Sequence, residues 1–262
     1  MSRIYKAELF KLFHRSETFI IVFLLILSFA LPIGFKLAPS SYALEYAFGD
    51  GRLPTDAYMV LGYAFWGTLG IFVLLYSILS VALLSRELEN RYFFLYFPRV
   101  TDRGKIYIAK YLILLCFMVI WYFVYTILLN PIGHTMMCEF RPDMAVKLAS
   151  DDSHSYWICM WILNLAELVL YISIATAFGT KLKPVATIAI VMAIYYFCMF
   201  FYDFPLVKYI IPEFYKQTAM KCEDLSRIET VYTNTVIYVV MVLVYSTCLF
   251  LIGKKMIEKK NA

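Results

Sequence analysis

Charge is scarce in this chain, and so is everything that would let it fold in water around a single core. Only 16% of its 262 residues are Asp, Glu, Lys or Arg, against about 25% in soluble domains, and 62% are hydrophobic, against about 45–50%. Those proportions exclude an ordinary water-soluble domain. Histidine is nearly absent (His14, His134 and His154) and no His-Glu-x-x-His occurs, which removes the zinc-hydrolase pattern. Gly-x-x-x-x-Gly-Lys-Ser/Thr is missing too, so no loop of that kind cradles nucleotide phosphates. A serine-type intramembrane hydrolase needs a Ser and His pair within its spans, and none is convincing here. Tyr202-Asp203 and Gly49-Asp50-Gly51 look superficially like aspartyl-protease fragments, but both fall at the outer edges of expected spans.

What the chain has instead is long apolar runs. Six of them, residues 18–37, 58–84, 106–129, 156–178, 185–202 and 231–252, approach or exceed the roughly 20 residues that a spanning helix needs. The expectation is an all-α membrane protein of six transmembrane helices forming one domain, 1–262, with no room for a soluble catalytic domain. Gly179 to Pro184 separate the fourth run from the fifth and allow only a tight turn.

Lysine and arginine beside a span tend to stay in the cytoplasm. With the N-terminus inside, sixteen fall in inner segments and eight in outer ones, which predicts a cell-membrane protein with both termini cytoplasmic. The outer segment 203–230 also carries Glu213, Glu223, Asp224 and Glu229, so it is no basic patch. The net charge of +5 suits the anionic headgroups of a lipid bilayer, at roughly 1 kcal/mol per residue near the surface, rather than nucleic acid.

The first run is too long for a signal-peptide core, and an amphipathic segment precedes it. At 100° per residue Tyr5, Leu9, Phe10, Leu12 and Phe13 fall on one side and Arg3, Glu8, Lys11, His14 and Arg15 on the other, with Ile4 and Lys6 as exceptions. An interfacial helix over 1–17 and a plain polar lead-in both fit this pattern.

The loop at 85–105 is charged at its ends and aromatic in its middle. It opens with Arg86-Glu87-Leu88-Glu89-Asn90-Arg91, continues through Tyr92 and Phe93-Phe94-Leu95-Tyr96-Phe97 to Pro98, and closes on Arg99-Val100-Thr101-Asp102-Arg103-Gly104-Lys105. One reading is a short amphipathic helix stopped by Pro98 and docking a partner, with Thr101 or Asp102 capping the next span. The other is an aromatic belt at the membrane surface. Both can hold for different rings.

These residues resemble the six-helix permease subunits of ABC-2-type, exporter-like ABC transporters. That family has an amphipathic elbow helix before the first span and, after the second, a Glu-rich start, a short apolar helix, a Pro, and Ser/Thr-x-Arg-x-x-Ile-x-x-x-Lys leading into the third. Here Arg86-Glu87-Leu88-Glu89 stands for the start and Phe93 to Phe97 for the apolar part. Thr101-Asp102-Arg103-Gly104-Lys105-Ile106 to Lys110 reproduces the Arg, Ile and Lys spacing. Asn90 and Arg91 replace the family's frequent Gly-Thr, and Pro98 comes a couple of residues early. The resemblance implies two permease chains, identical or related, around a translocation path. It implies a dimer of separate cytoplasmic ABC ATPases holding ATP and Mg, with no cofactor bound by this chain. It assigns Arg86, Glu87, Glu89, Arg91, Phe94, Pro98 and Arg103 to ATPase docking. It also implies short helices dipping back toward the membrane within 203–230, where a plain outer loop is the alternative, and a cytoplasmic tail at 253–262. The cargo it suggests is a peptide, lipid-like or drug-like amphipathic compound, exported.

Glu167, with Asn164 one turn before it, lies near the middle of the fourth run. A carboxylate at that depth costs a few kcal/mol unless it meets a polar partner, water or the bundle interior. Substrate contact, proton handling and a structural hydrogen bond all remain open for it; catalysis is not among them. Of six cysteines, Cys116, Cys159, Cys198 and Cys248 fall in runs, while Cys138 and Cys222 fall in outer segments where a disulfide is permitted but free thiols are equally consistent. No metal site is implied. The 22 Tyr and 22 Phe suit interfacial belts and packing. Two other classes stand beside the permease: a substrate-capture component of an importer, which would lack the elbow and docking loop, and an intramembrane enzyme, which would need paired catalytic groups at one depth.

Overall fold

A computed structural model describes residues 2–19, 21, 53–54, 67, 69–89, 103–140, 145–146, 151–221 and 228–259. Helices dominate them: α1 (Ser2–Phe13), α2 (Ile71–Leu83), α3 (Ser85–Glu89), α4 (Arg103–Phe140), α5 (Asp151–Gly179), α6 (Pro184–Phe201), α7 (Pro212–Met220) and α8 (Ile228–Glu258). A two-residue parallel pairing of Leu53–Pro54 (β1) with Ala145–Val146 (β2) ties together the segments that precede α2 and follow α4.

Among the described residues five stretches are long and apolar enough to cross a membrane: Ile71–Glu89, Gly104–Leu128, Ser155–Gly179, Pro184–Phe201 and Ile228–Glu258. The chain is a helical, multi-pass membrane protein. These stretches answer to the second through sixth runs. The first run, 18–37, lies outside the described residues except for Thr18, Phe19 and Ile21.

Two of the five differ in extent from what hydropathy suggests. The second run is interrupted at Gly70, whose φ of 67° is left-handed, and continuous helix begins at Ile71. A side chain at Gly70 would meet the Tyr195 ring, with its Cβ 2.9 Å from Cε1, so only glycine satisfies both the turn and the contact. Tyr195 and Tyr196 fasten this turn to α6, their hydroxyls donating to the carbonyls of Gly67 and Leu69. The third helix runs on through Pro131 to Phe140. Its 38 residues measure roughly 57 Å, well beyond a hydrocarbon core of about 30 Å.

The fourth span is the centre of the bundle. α5 carries Leu168 and Ile172 into a cluster with Phe72, Leu79, Leu114, Met118 and Tyr122 of α2 and α4. From its other side Leu163, Tyr171 and Ala175 join Val191, Tyr195, Tyr238 and Val242 of α6 and α8. α6 and α8 sit on the outside, where Val185, Phe197, Phe200, Val236, Val240 and Leu251 are exposed and suit lipid. Several hydroxyls within the bundle are satisfied locally: Ser77, Ser80, Thr126, Thr176 and Thr235 each donate to the carbonyl four residues back. Between helices, Tyr111 and Ser173 share a hydrogen bond of 2.8 Å and Trp161 Nε1 donates to Thr126 at 2.9 Å.

One end of the bundle gathers α1, α3, the start of α4, the α5–α6 turn and the end of α8. Ser85 Oγ donates to the Leu182 carbonyl at 2.8 Å, and Leu84, Ile106, Tyr107 and Ile257 form a small cluster of their own. Every inner segment expected from the charge distribution and described here lies at this end.

Candidate functional site

Among the described residues two charged sites are buried in the bundle. The first lies at the end just described, and α1 brings half of it. Leu9, Phe10 and Phe13 point outward and are 45–63% exposed, while Glu8 is 3% exposed and Leu12 fully buried. The apolar set read along 3–15 is therefore divided. Tyr5, Glu8, Leu12 and Arg15 recur at the spacing of one helix face, and that face meets the bundle.

The partners come from α3 and α4. Lys110 Nζ lies 2.5 Å from Glu8 Oε2 and 2.7 Å from Glu87 Oε2. Arg15 reaches Glu87 Oε1 at 2.7 Å and donates to the Ala82 carbonyl at 2.6 Å, and Lys11 contacts Glu8 at 2.9 Å and Glu87 at 3.4 Å. Three cations thus compensate two carboxylates. Lys110 and Glu8 are nearly withdrawn from solvent, and each member of the cluster but Arg15 meets at least two partners of opposite charge, so the cluster opens only as a whole. Close by, Arg86 and Glu17 pair at 2.6 Å in a more exposed setting, where a bridge contributes about 0–1 kcal/mol.

The residues assigned to docking are distributed unequally by this geometry. Glu87 is turned inward and 5% exposed, whereas Arg86 and Glu89 are exposed. Arg103 opens α4. Arg91, Phe94 and Pro98 lie outside the described residues, as does Cys222, while Cys138 falls in the last turn of α4 rather than in a loop.

The second site is at mid-span. Glu167 stands twelve residues from either end of Ser155–Gly179, and Lys216 of α7 reaches it, Nζ to Oε2, at 2.8 Å. Their side chains are 2% and 9% exposed. α7 is thus a helix turned back into the bundle from the segment between α6 and α8, with Pro212 setting φ at its first turn. Its buried face is Glu213, Lys216 and Ala219, one helical stripe. Tyr245 holds the approach by donating to the Ile210 carbonyl at 2.8 Å, and Tyr156 holds the exit by donating to Met220 at 3.1 Å. The return from α6 is a series of tight turns, Val207 and Lys208 bonding back to Phe204 and Ile210 and Ile211 to Val207, which satisfies the backbone without a water-filled loop. Burial alone would lower the Lys216 pKa, but Glu167 and Glu213 beside it outweigh that and hold it raised. Gln217 in turn donates to Glu213 at 2.7 Å. Asn164 is buried one turn from Glu167.

Sequence reasoning singled out Glu167 and not Lys216, which looked like one more loop lysine. Lys110 carried a usable signal, a lone cation four residues into an apolar run, yet nothing in the sequence tied it to Glu8. Among the described residues no three His, Cys, Asp or Glu side chains group to hold a metal. Compared with protein-family models, curated proteins and solved structures, the chain matches none.

Proposed function

We propose that the chain is the permease subunit of an ABC transporter, working as a pair of permease chains with two cytoplasmic ATPase subunits that dock on α1 and the 85–105 loop. The observation that carries this reading is the ion cluster of Glu8, Lys11, Arg15, Glu87 and Lys110. It couples an amphipathic N-terminal helix, its aromatic side outward, to the ends of the second and third spans, at the root of the loop that carries the docking-like sequence. A pull on that loop then moves two spans together, because the cluster cannot open without stranding buried charge. Arg86 and Glu89 supply the contact with the ATPase, and Glu87 holds the loop's base in place.

In this reading the end bearing α1, α3, the α5–α6 turn and the end of α8 is cytoplasmic, and α1 lies in the interface of the cell membrane as an elbow with Leu9, Phe10 and Phe13 in lipid. The ATPase subunits hold ATP and Mg, and the cargo is an amphipathic peptide, lipid-like or drug-like compound that leaves the cell. The test is co-purification of the chain with a Walker-A-containing partner, followed by ATPase measurement in proteoliposomes with Arg86→Glu and Glu89→Lys. Charge reversal should uncouple hydrolysis from transport while the permease stays folded. Unchanged coupling in both variants, or no ATPase partner at all, would sink the proposal.

A further inference from the structure

Where α5 turns into α6, a groove of about 480 Å³ lies against the last turns of α8, walled by Thr180, Lys181, Ile252, Lys255, Met256 and Lys259. A second cavity of about 410 Å³ shares Lys181, Ile252 and Met256 with it and extends between α5, α6 and α8 past Ala177, Phe178, Ile190 and Leu249. The chemistry of both walls changes at the same level. On α8, Leu249, Ile252 and Met256 form an apolar stripe that gives way to Lys255 and Lys259, the helix continuing to Lys259, whose N–H donates to the Lys255 carbonyl at 3.1 Å. On the facing wall Ala177 and Phe178 give way to Thr180 and Lys181.

Among the described residues no acid lines either cavity, and Lys181, Lys255 and Lys259 make no ion pair with any of them. The acid nearest in sequence, Glu258, is engaged by Lys254 at 3.6 Å. A free anion would use the three lysines and leave the apolar cavity unexplained. An apolar molecule would use the cavity and leave the lysines unexplained. We propose that the groove binds an anionic phospholipid, its phosphate held by Lys181, Lys255 and Lys259 and one acyl chain lying along the wall of Ala177, Phe178 and Leu249. The bound lipid bridges the α5–α6 turn to the end of α8. The site needs only that this end of the bundle lie at a membrane surface, so it stands whether or not an ATPase docks nearby.

The full-length protein in detergent, examined by native mass spectrometry, tests this with phosphatidylglycerol, phosphatidylcholine and inorganic phosphate as probes. At about fivefold for each lysine near a headgroup, Lys181→Gln, Lys255→Gln and Lys259→Gln combined should weaken phosphatidylglycerol binding roughly a hundredfold. The exposed Lys183→Gln with Lys254→Gln should leave it unchanged. Ile252→Trp, which fills the junction of the two cavities at a half-exposed position, should also weaken it. Several results overturn the proposal: phosphatidylcholine binding as tightly as phosphatidylglycerol, inorganic phosphate displacing the lipid at equal concentration, an unaffected triple variant, or equal loss in the control pair. Circular dichroism melting of each variant separates loss of the site from loss of the fold.

Discussion

Lys216 and Glu167 face each other where neither can find water, so each sets the other's cost. Lys216→Met takes the cation away from the Glu167 carboxylate and should destabilise the protein by about 3–5 kcal/mol in thermal unfolding in detergent. Glu167→Gln combined with Lys216→Met should recover part of that loss, because only Glu213, which Gln217 also meets, then lacks the lysine; a double variant no better than Lys216→Met would mean the pair is not coupled. Because Glu167 and Glu213 hold the Lys216 pKa above the ordinary lysine value of 10.5, the lysine's share of the stability is full below that value and is lost as pH rises through the folded-state value. Stability should therefore show no step from Lys216 between about pH 6 and 9. Gly253 presents a different residue-scale constraint. A Cβ there would lie 2.7 Å from Cζ of the fully buried Tyr107 and closer still to its hydroxyl, so Gly253→Ala should cost about 1–3 kcal/mol, and Tyr107→Phe in the same chain should return part of it. Glu167 could be read from the sequence because a carboxylate inside an apolar run is conspicuous. Its partner could not, because a lysine between two spans looks the same whether it faces water or the bundle.

At the scale of elements, α1 shows that an amphipathic pattern does not say which of its faces meets the protein. The segment 3–15 was legible as amphipathic, but Glu8, Lys11 and Arg15 join Tyr5 and Leu12 toward the protein while Leu9, Phe10 and Phe13 face out, since Lys110 and Glu87 supply the partners that water would otherwise supply. Lys110→Met should leave Glu8 and Glu87 held only by the partly exposed Lys11 and Arg15 of α1 itself, cutting their tie to α4, and release α1 before the spans melt. Amide hydrogen exchange checks this: protection across residues 5–13 should fall while α5 is unaffected, and equal loss in both would mean that the cluster holds the whole bundle rather than the helix. α7 is the second lesson. Two prolines and scattered apolar residues in 203–230 allowed either an outer loop or a dipping helix, and the choice rests on Lys216, Tyr156 and Tyr245, contacts made with α5 and α8 far away in the chain.

For the whole molecule, the arrangement of ends is the testable property. Segments around residues 6–17, 85–89, 180–183 and 254–259 meet at one end, so single cysteines introduced at Lys183 and Lys254 should react with an impermeant maleimide from the same side of the membrane. A cysteine at Lys221, beyond α7, should react from the opposite side. Labelling of all three positions from one face would contradict the bundle. The presence of the last five spans, though not the start of the first of them at Ile71 or the full length of α4, was set by the sequence alone, because desolvating backbone and side chains in lipid demands about 20 apolar residues per crossing whatever the neighbours are. Lysine and arginine placement likewise grouped the segments that share an end. Tertiary structure decided what local pattern cannot encode: the break at Gly70 where the Tyr195 ring approaches, the inward turn of the charged face of α1, the return of α7 to mid-span, and the junction of apolar and basic walls between α5, α6 and α8. Each depends on a contact between residues far apart in the chain, and burial then decides whether a charge is paired or simply wet.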